Sequence, residues 1–416
     1  MKKVLLGTTA LVSAGLVAQQ AQAADPIQLS IGGYQNWALF WADNDDAPAT
    51  GTIPAEPGFN KGSSDIKYIG EVHFKGKTVL DNGLEVGVRF ELEGETGGDN
   101  MDETYAYVEG SFGQVRVGND DPVSYAMATA APYINYVFNA NSPSVYGNGL
   151  SQFFGQTTGL LRSRFSAGGT ATFATFPNQS GDDAQLAYFS PVFNGFQFGV
   201  SYKMDTGEAR DADLYLLPVK TGGGHAGVLS VGGRYDGEIG ELGVTVAGGY
   251  MEMAHRALNN AAIAPATSEV WNAGLVLYYG AWGFGGSYMG VDDQLNISGT
   301  DTEAFDLGIA YYSDGPWSAG FYYMWSETDY AAGNLVATSV TDEFQAFSLI
   351  GQYEMGPGIA LTGTVGFDQF TNGVISQDYD STLIGTAIMI DFSALPDPRA
   401  QVPSDQASAQ PRRARH

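Results

Sequence analysis

Residues 84–93 read LEVGVRFELE, with Leu84, Val86, Val88, Phe90 and Leu92 alternating with Glu85, Gly87, Arg89, Glu91 and Glu93. Successive side chains of a strand face opposite sides of its sheet. One face of this segment is therefore oily while the other carries charges that an ordinary core does not accept. A strand between lipid and water meets both demands, so the pattern predicts a membrane barrel with a wet lumen.

The residues before it repeat the design. Ile66, Tyr68, Val72 and Phe74 fall on one face, and Lys67, Glu71, His73, Lys75 and Lys77 on the other. Asp81-Asn82-Gly83 between the two runs is a tight hairpin signal, and pairing about Asn82 sets Lys75 directly opposite Arg89. Short turns near 110–113, 190–195, 236–241, 280–283, 313–316 and 354–358 join further alternating runs, making seven hairpins. A first strand near 27–41 and a last near 382–392 bring the count to sixteen, an even number that closes a barrel.

Between the hairpins lie longer, polar segments near 42–64, 94–102, 119–183, 204–226, 252–268, 292–302, 327–342 and 369–380. Tyr188, Phe189, Phe193, Phe196, Tyr279, Trp282, Tyr311 and Trp317 flank short turns, whereas Trp37, Trp41, Tyr68, Tyr250, Tyr288 and Trp325 lie toward the long loops. These are expected to form two interfacial girdles about 25 Å apart. A secreted β-sandwich or solenoid is the alternative, but its buried face would have to match alternate charges.

Residues 1–23 have Lys2 and Lys3, an apolar run from Val4 to Ala18, and Ala21-Gln22-Ala23 as a small-x-small site, the pattern of a cleaved secretory signal peptide. The apolar run is short for a membrane anchor. Nothing after it approaches the roughly 20 apolar residues of a spanning helix, so a spanning chain of this kind must close as a barrel. Loss of the leader lysines takes the formal charge from −27 to −29. That acidity disfavours nucleic acid as a partner and favours cations. Cysteine is absent, so backbone hydrogen bonding and packing carry the stability.

Several segments carry a family resemblance: ADPIQLSIGGYQNWALFW, KTVLDNGLEVGVRFELEG, DETYAYVEGSFGQVRVGNDD and QLAYFSPVFNGFQFGVSY. Over residues 24–392 the chain resembles the sixteen-stranded general diffusion porins of the alphaproteobacterial type. The resemblance implies an all-β, sixteen-stranded antiparallel transmembrane barrel, assembled as a homotrimer in the outer membrane. It also implies that the third loop, residues 119–183, folds into the lumen. Asp120 and Asp121 match the position from which that loop supplies negative groups to the constriction, and the stretch near 160–176 is long enough for an extra hairpin. The final strand ends on Phe392, the terminal aromatic that the barrel-assembly machinery reads in this family.

Lys67, Lys75, Lys77, Arg89 and Arg116, with His73 among them, form the basic wall expected to face those acids. Like charges opposite one another repel, so acids across the lumen are the expected counter-charge. The resulting transverse field would oppose apolar solutes, which displace ordered water without replacing its hydrogen bonds. The alternative is a set of solvated lumen residues without a coherent field. Asp43, Asp45 and Asp46 in the first long loop, and Asp292, Asp293, Asp301 and Glu303 around the sixth, are oxygen donors suited to Ca²⁺ or Mg²⁺. They read equally as a solvated acidic rim, and either arrangement would bridge through divalent ions to lipopolysaccharide phosphates.

Enzymatic signals are thin. His73, His225, His255 and His416 are the only histidines, and no hydrolase spacing surrounds them. Residues 393–416 contain four prolines and end RRARH, a composition expected to stay disordered, whether as a periplasmic extension or as read-through past the natural stop. The expected function is a passive, water-filled channel for small hydrophilic solutes and ions with moderate cation preference and no cofactor. A substrate-selective channel, using Tyr105, Tyr107, Tyr278, Tyr312 and Tyr322 along the lumen, is the nearest alternative; a barrel-embedded hydrolase is more remote.

Overall fold

A computed structural model describes residues 26–44, 64–94, 101–132, 134–135, 175–177, 180, 183–204, 225–255, 267–293, 298–332, 339–372 and 377–392. Residues 1–25, which include the expected signal peptide, Asp45, Asp46, residues 136–174 and the tail from 393 onward lie outside them. The strands are β1 Gln28–Asn44, β2 Ser64–Val79, β3 Glu85–Glu93, β4 Thr104–Gly110, β5 Gly113–Asn119, β6 Ala184–Phe189, β7 Phe196–Lys203 and β8 His225–Ile239. They continue as β9 Leu242–His255, β10 Ser268–Tyr279, β11 Trp282–Asp292, β12 Thr300–Tyr312, β13 Trp317–Tyr330, β14 Val340–Gly356, β15 Ile359–Asn372 and β16 Gln377–Asp391.

Each strand pairs with its neighbours in sequence, and β1 pairs antiparallel with β16 to close a sixteen-stranded barrel. The first hairpin shows how the sequence enforces this. At Asn82-Gly83 the chain needs a left-handed residue, and Gly83 supplies it at φ 80° while its N–H donates to the Leu80 carbonyl at 2.8 Å. That turn fixes the β2–β3 register, in which Lys75 lies opposite Arg89 and His73 opposite Glu91.

The outward face is the oily one. Val88 is 39% exposed and Phe90 40%, whereas Arg89 and Glu91, which alternate with them, are buried. Large apolar side chains such as Leu39, Phe198, Leu275, Phe321, Leu349 and Ile384 lie exposed around the circumference, as a lipid-facing band requires. Trp282 packs on Tyr311 and Trp317 on Tyr353 near the short turns, and Trp37 on Tyr68 and Phe305 on Trp325 toward the long loops. Phe189 departs from the expected rim: it faces inward and is buried, because it is the last residue of β6 on the same face as Ala187.

Strands run further toward the long loops than the alternation suggested. β16 begins at Gln377 rather than near 382, and its polar start pairs with Gln369–Asn372 of β15. Backbone pairing continues there beyond the lipid, where side-chain polarity no longer alternates, so the pattern marks only the embedded part of each strand.

Candidate pore constriction

The inner face of β2–β5 and its flanks carry a dense cluster of buried charges. Glu71, His73, Arg89, Glu91, Glu103 and Asp120 are all buried there. Lys75 and Lys77 stay exposed on the same face.

The predicted basic wall is matched largely within itself. Lys67 Nζ meets Asp65 Oδ2 at 2.5 Å and Lys77 Nζ meets Glu85 Oε2 at 3.1 Å. His73 Nε2 lies 2.7 Å from Glu71 Oε2 and 3.3 Å from Glu91 Oε2, and the Arg89 guanidinium contacts Glu91 Oε1. Arg116 pairs with Asp120 at 3.2 Å, four residues along the chain, while its guanidinium lies 4.9 Å above the Tyr105 ring and 4.5 Å above that of Phe189. Burial pushes the Asp120 carboxyl upward, against the pull of the Arg116 charge beside it.

From Asp120 the chain turns along the barrel's inner face. The Gln185 side-chain amide donates to the Asp120 carbonyl at 2.6 Å and to the Asp121 carbonyl at 2.5 Å, fixing the departure. A single helical turn, α1 Val123–Ala126, follows Pro122. Its Val123 N–H donates to Ser201 Oγ on β7 and its Ser124 N–H to Ser230 Oγ on β8, which satisfies two of the turn's otherwise orphan donors. Arg234 on β8 then donates to the Ala128 carbonyl, and the Ala131 N–H donates to Asp306 Oδ2 on β12. Tyr322 on β13 donates to the Pro132 carbonyl at 2.7 Å, and Asn135 to Thr362 Oγ1 on β15 at 2.8 Å.

Close approach is possible because the wall is small where the segment passes. A Cβ at Gly274 of β10 would collide with the Thr129 carbonyl, and one at Gly249 of β9 with Ser124. Ala131 and Ile134 are buried among Ala304, Ala310, Met324, Phe344 and Ile350 of the inner wall. The lumen is therefore lopsided: β12–β14 carry an apolar patch covered by loop residues beside the buried Asp306, and β2–β5 carry the denser cluster of charges.

Lys203, Arg234 and Asp306 also point inward, and the sequence pattern does not set them apart because Ser201, Ser230 and Thr302 share their faces. Tyr105, Tyr107, Tyr278, Tyr312 and Tyr322 all take inward strand positions. Tyr107 donates to Glu85 and Tyr322 to Pro132, and the rings of Tyr278 and Tyr312 lie 6.3 Å apart. They are dispersed over four strands rather than stacked in one ladder.

Asp43 is exposed on β1. Asp301 accepts the Asp293 N–H at 3.0 Å and Asp293 accepts the Gly299 N–H at 2.7 Å, so these two carboxylates brace the ends of the β11–β12 connection. Asp292 and Glu303 occupy outward positions near Glu269 and Glu327 in the strand register. Among the described residues, the group that brings three donor side chains within 4.8 Å is instead Glu71, His73 and Glu91.

A closed sixteen-stranded barrel with an apolar exterior and a charged, loop-lined interior defines an outer-membrane channel. The profile of the Gram-negative porin family matches residues 7–373, and the chain belongs to that family. It is an outer-membrane diffusion channel. Solved structures share the fold: a porin refined at 1.8 Å resolution has a TM-score of 0.54 at 15% identity, with 88% of this chain and all of that chain covered. An anion-selective porin from Comamonas acidovorans gives 0.53 at 15% identity, and the trimer form of OmpT from Vibrio cholerae gives 0.54 at 13%, both with 88% of this chain and all of theirs covered. No curated protein matches the chain.

Proposed function

We propose that this porin passes small hydrophilic solutes and ions without a chemical step, with a moderate preference for cations. The constriction lies between the segment from Asp120 to Asn135 and the charged face of β2–β5. The observation that carries the sign of selectivity is the local pairing of the wall: Lys67, Lys77, Arg89 and Arg116 each contact an acid, which mutes the wall's positive field. The formal charge of −27 on the whole chain then dominates at the entrance.

The proposal extends to the assembly. The chain is exported through a cleaved signal peptide, inserted by the barrel-assembly machinery and active as a homotrimer; the trimer form of the similar Vibrio cholerae protein supports that oligomer. Outward acids near the long loops support contact with lipopolysaccharide through Ca²⁺ or Mg²⁺, since Glu303, Glu327 and Glu343 fall directly opposite one another on adjoining strands. Like charges so placed repel unless a cation lies between them.

Reversal potentials under a potassium chloride gradient test the selectivity. Cation preference is expected at low salt and should fade as the Debye length falls from about 30 Å at 0.01 M to about 3 Å at 1 M. Anion preference at low salt would mean that the basic wall sets the sign.

A further inference from the structure

The ring of wall charges contains one group that ion-pair compensation alone does not explain. Glu71 and His73 sit two residues apart on the inward face of β2, and Glu91 lies directly opposite His73 on β3. Their ligand atoms fall within 4.8 Å of one another, and all three side chains are buried. The outer oxygen of each carboxylate is held: Tyr34 donates to Glu71 Oε1 at 2.5 Å, and Arg89 contacts Glu91 Oε1. The inner oxygens, both Oε2, turn toward His73 Nε2. Glu91 is wholly buried, yet neither of its oxygens accepts a hydrogen bond of good geometry among the described residues. Two carboxylates buried side by side are costly unless positive charge lies close to both.

We propose that Glu71, His73 and Glu91 form a lumen-wall site for a zinc-like divalent cation. One imidazole nitrogen and two carboxylate oxygens suit a borderline cation with three protein ligands and one open position. Calcium and magnesium, which prefer all-oxygen shells, fit the histidine poorly. Tyr34 and Arg89 are positioning residues, since each fixes a carboxylate by the oxygen that does not face His73. Binding places positive charge beside Lys75 and Arg89, so it should lower cation flux through the channel. That last step rests on the proposed constriction; binding itself does not.

The test is calorimetric titration of the detergent-solubilised full-length channel with zinc chloride, alongside zinc addition to single channels in planar bilayers. The expected result is one saturable zinc ion per chain that His73→Gln removes, and magnesium at the same concentration should not compete for it. Zinc should reduce conductance and shift reversal potential toward anions, reversibly on chelation. Tyr34→Phe should weaken binding by about 10–100-fold, and His73→Gln and Glu91→Gln should each abolish it. Absence of zinc binding to the wild type between pH 6 and pH 8, or equal binding by wild type and His73→Gln, would overturn the site. The wild-type titration decides this even if a variant fails to fold. Zinc binding without any change in conductance would keep the site and overturn its place at the constriction.

Discussion

The Tyr322 hydroxyl on β13 donates to the carbonyl of Pro132, 190 residues earlier in the chain, across 2.7 Å. This bond is buried and ties the segment after Asp120 to the wall, so its loss should act on the segment rather than on the barrel. Tyr322→Phe removes a hydrogen bond worth about 0.5–1.5 kcal/mol net. Single-channel recordings should show added open-channel noise with unchanged heat stability of the assembled barrel. Gly274→Val, which forces a side chain against Thr129, should change the solute size cutoff more strongly. Identical traces for both variants and the wild type would detach the segment from the pore.

Face assignment predicts opposite outcomes for two neighbouring substitutions. Val88 faces outward midway along β3 and is 39% exposed, so Val88→Arg places a cation toward lipid at a cost of about 2–4 kcal/mol near the midplane. Lys75→Ala alters an exposed lumen side chain and should leave assembly intact. Heat-modifiable mobility in electrophoresis separates the two, and equal assembly would reverse the faces. Arg89 is a poorer control than its place in the alternation suggests, because it is buried against Glu91.

The Arg116 and Asp120 pair should act as a unit. Asp120→Asn leaves the guanidinium uncompensated and should move selectivity toward anions; Arg116→Gln should move it toward cations. The double variant removes both charges at once and should return close to the wild type, because no uncompensated charge is left at the pair. Reversal potentials read all three, and a double variant equal to the sum of large single shifts in one direction would contradict the pairing.

Much of this architecture was legible because strand alternation has a period of two and one turn pins its phase. Once Asn82-Gly83 was placed, Lys75 had to fall opposite Arg89, and the register shows that it does. Charge compensation was not legible in the same way. His73 reads as one more cation of the wall until Glu71 and Glu91 are seen converging on its Nε2. The anchors of the third loop lie hidden for another reason: Asp306 is one of several polar residues of its strand, Ser287 of β11 already donates to it, and only the returning chain adds Ala131 and Thr175. Phe189 was placed on the rim by its proximity to a turn, although its parity with Ala187 already pointed it inward.

Single-channel conductance in planar bilayers, with neutral sugars of rising size added to the electrolyte, tests the central claim most directly. A water-filled diffusion channel predicts discrete ohmic steps, and sugars should lower the conductance progressively less as they grow too large to enter, whatever their stereochemistry. Absence of conductance steps from the purified protein, or block that saturates for one sugar and spares others of equal size, would contradict passive diffusion.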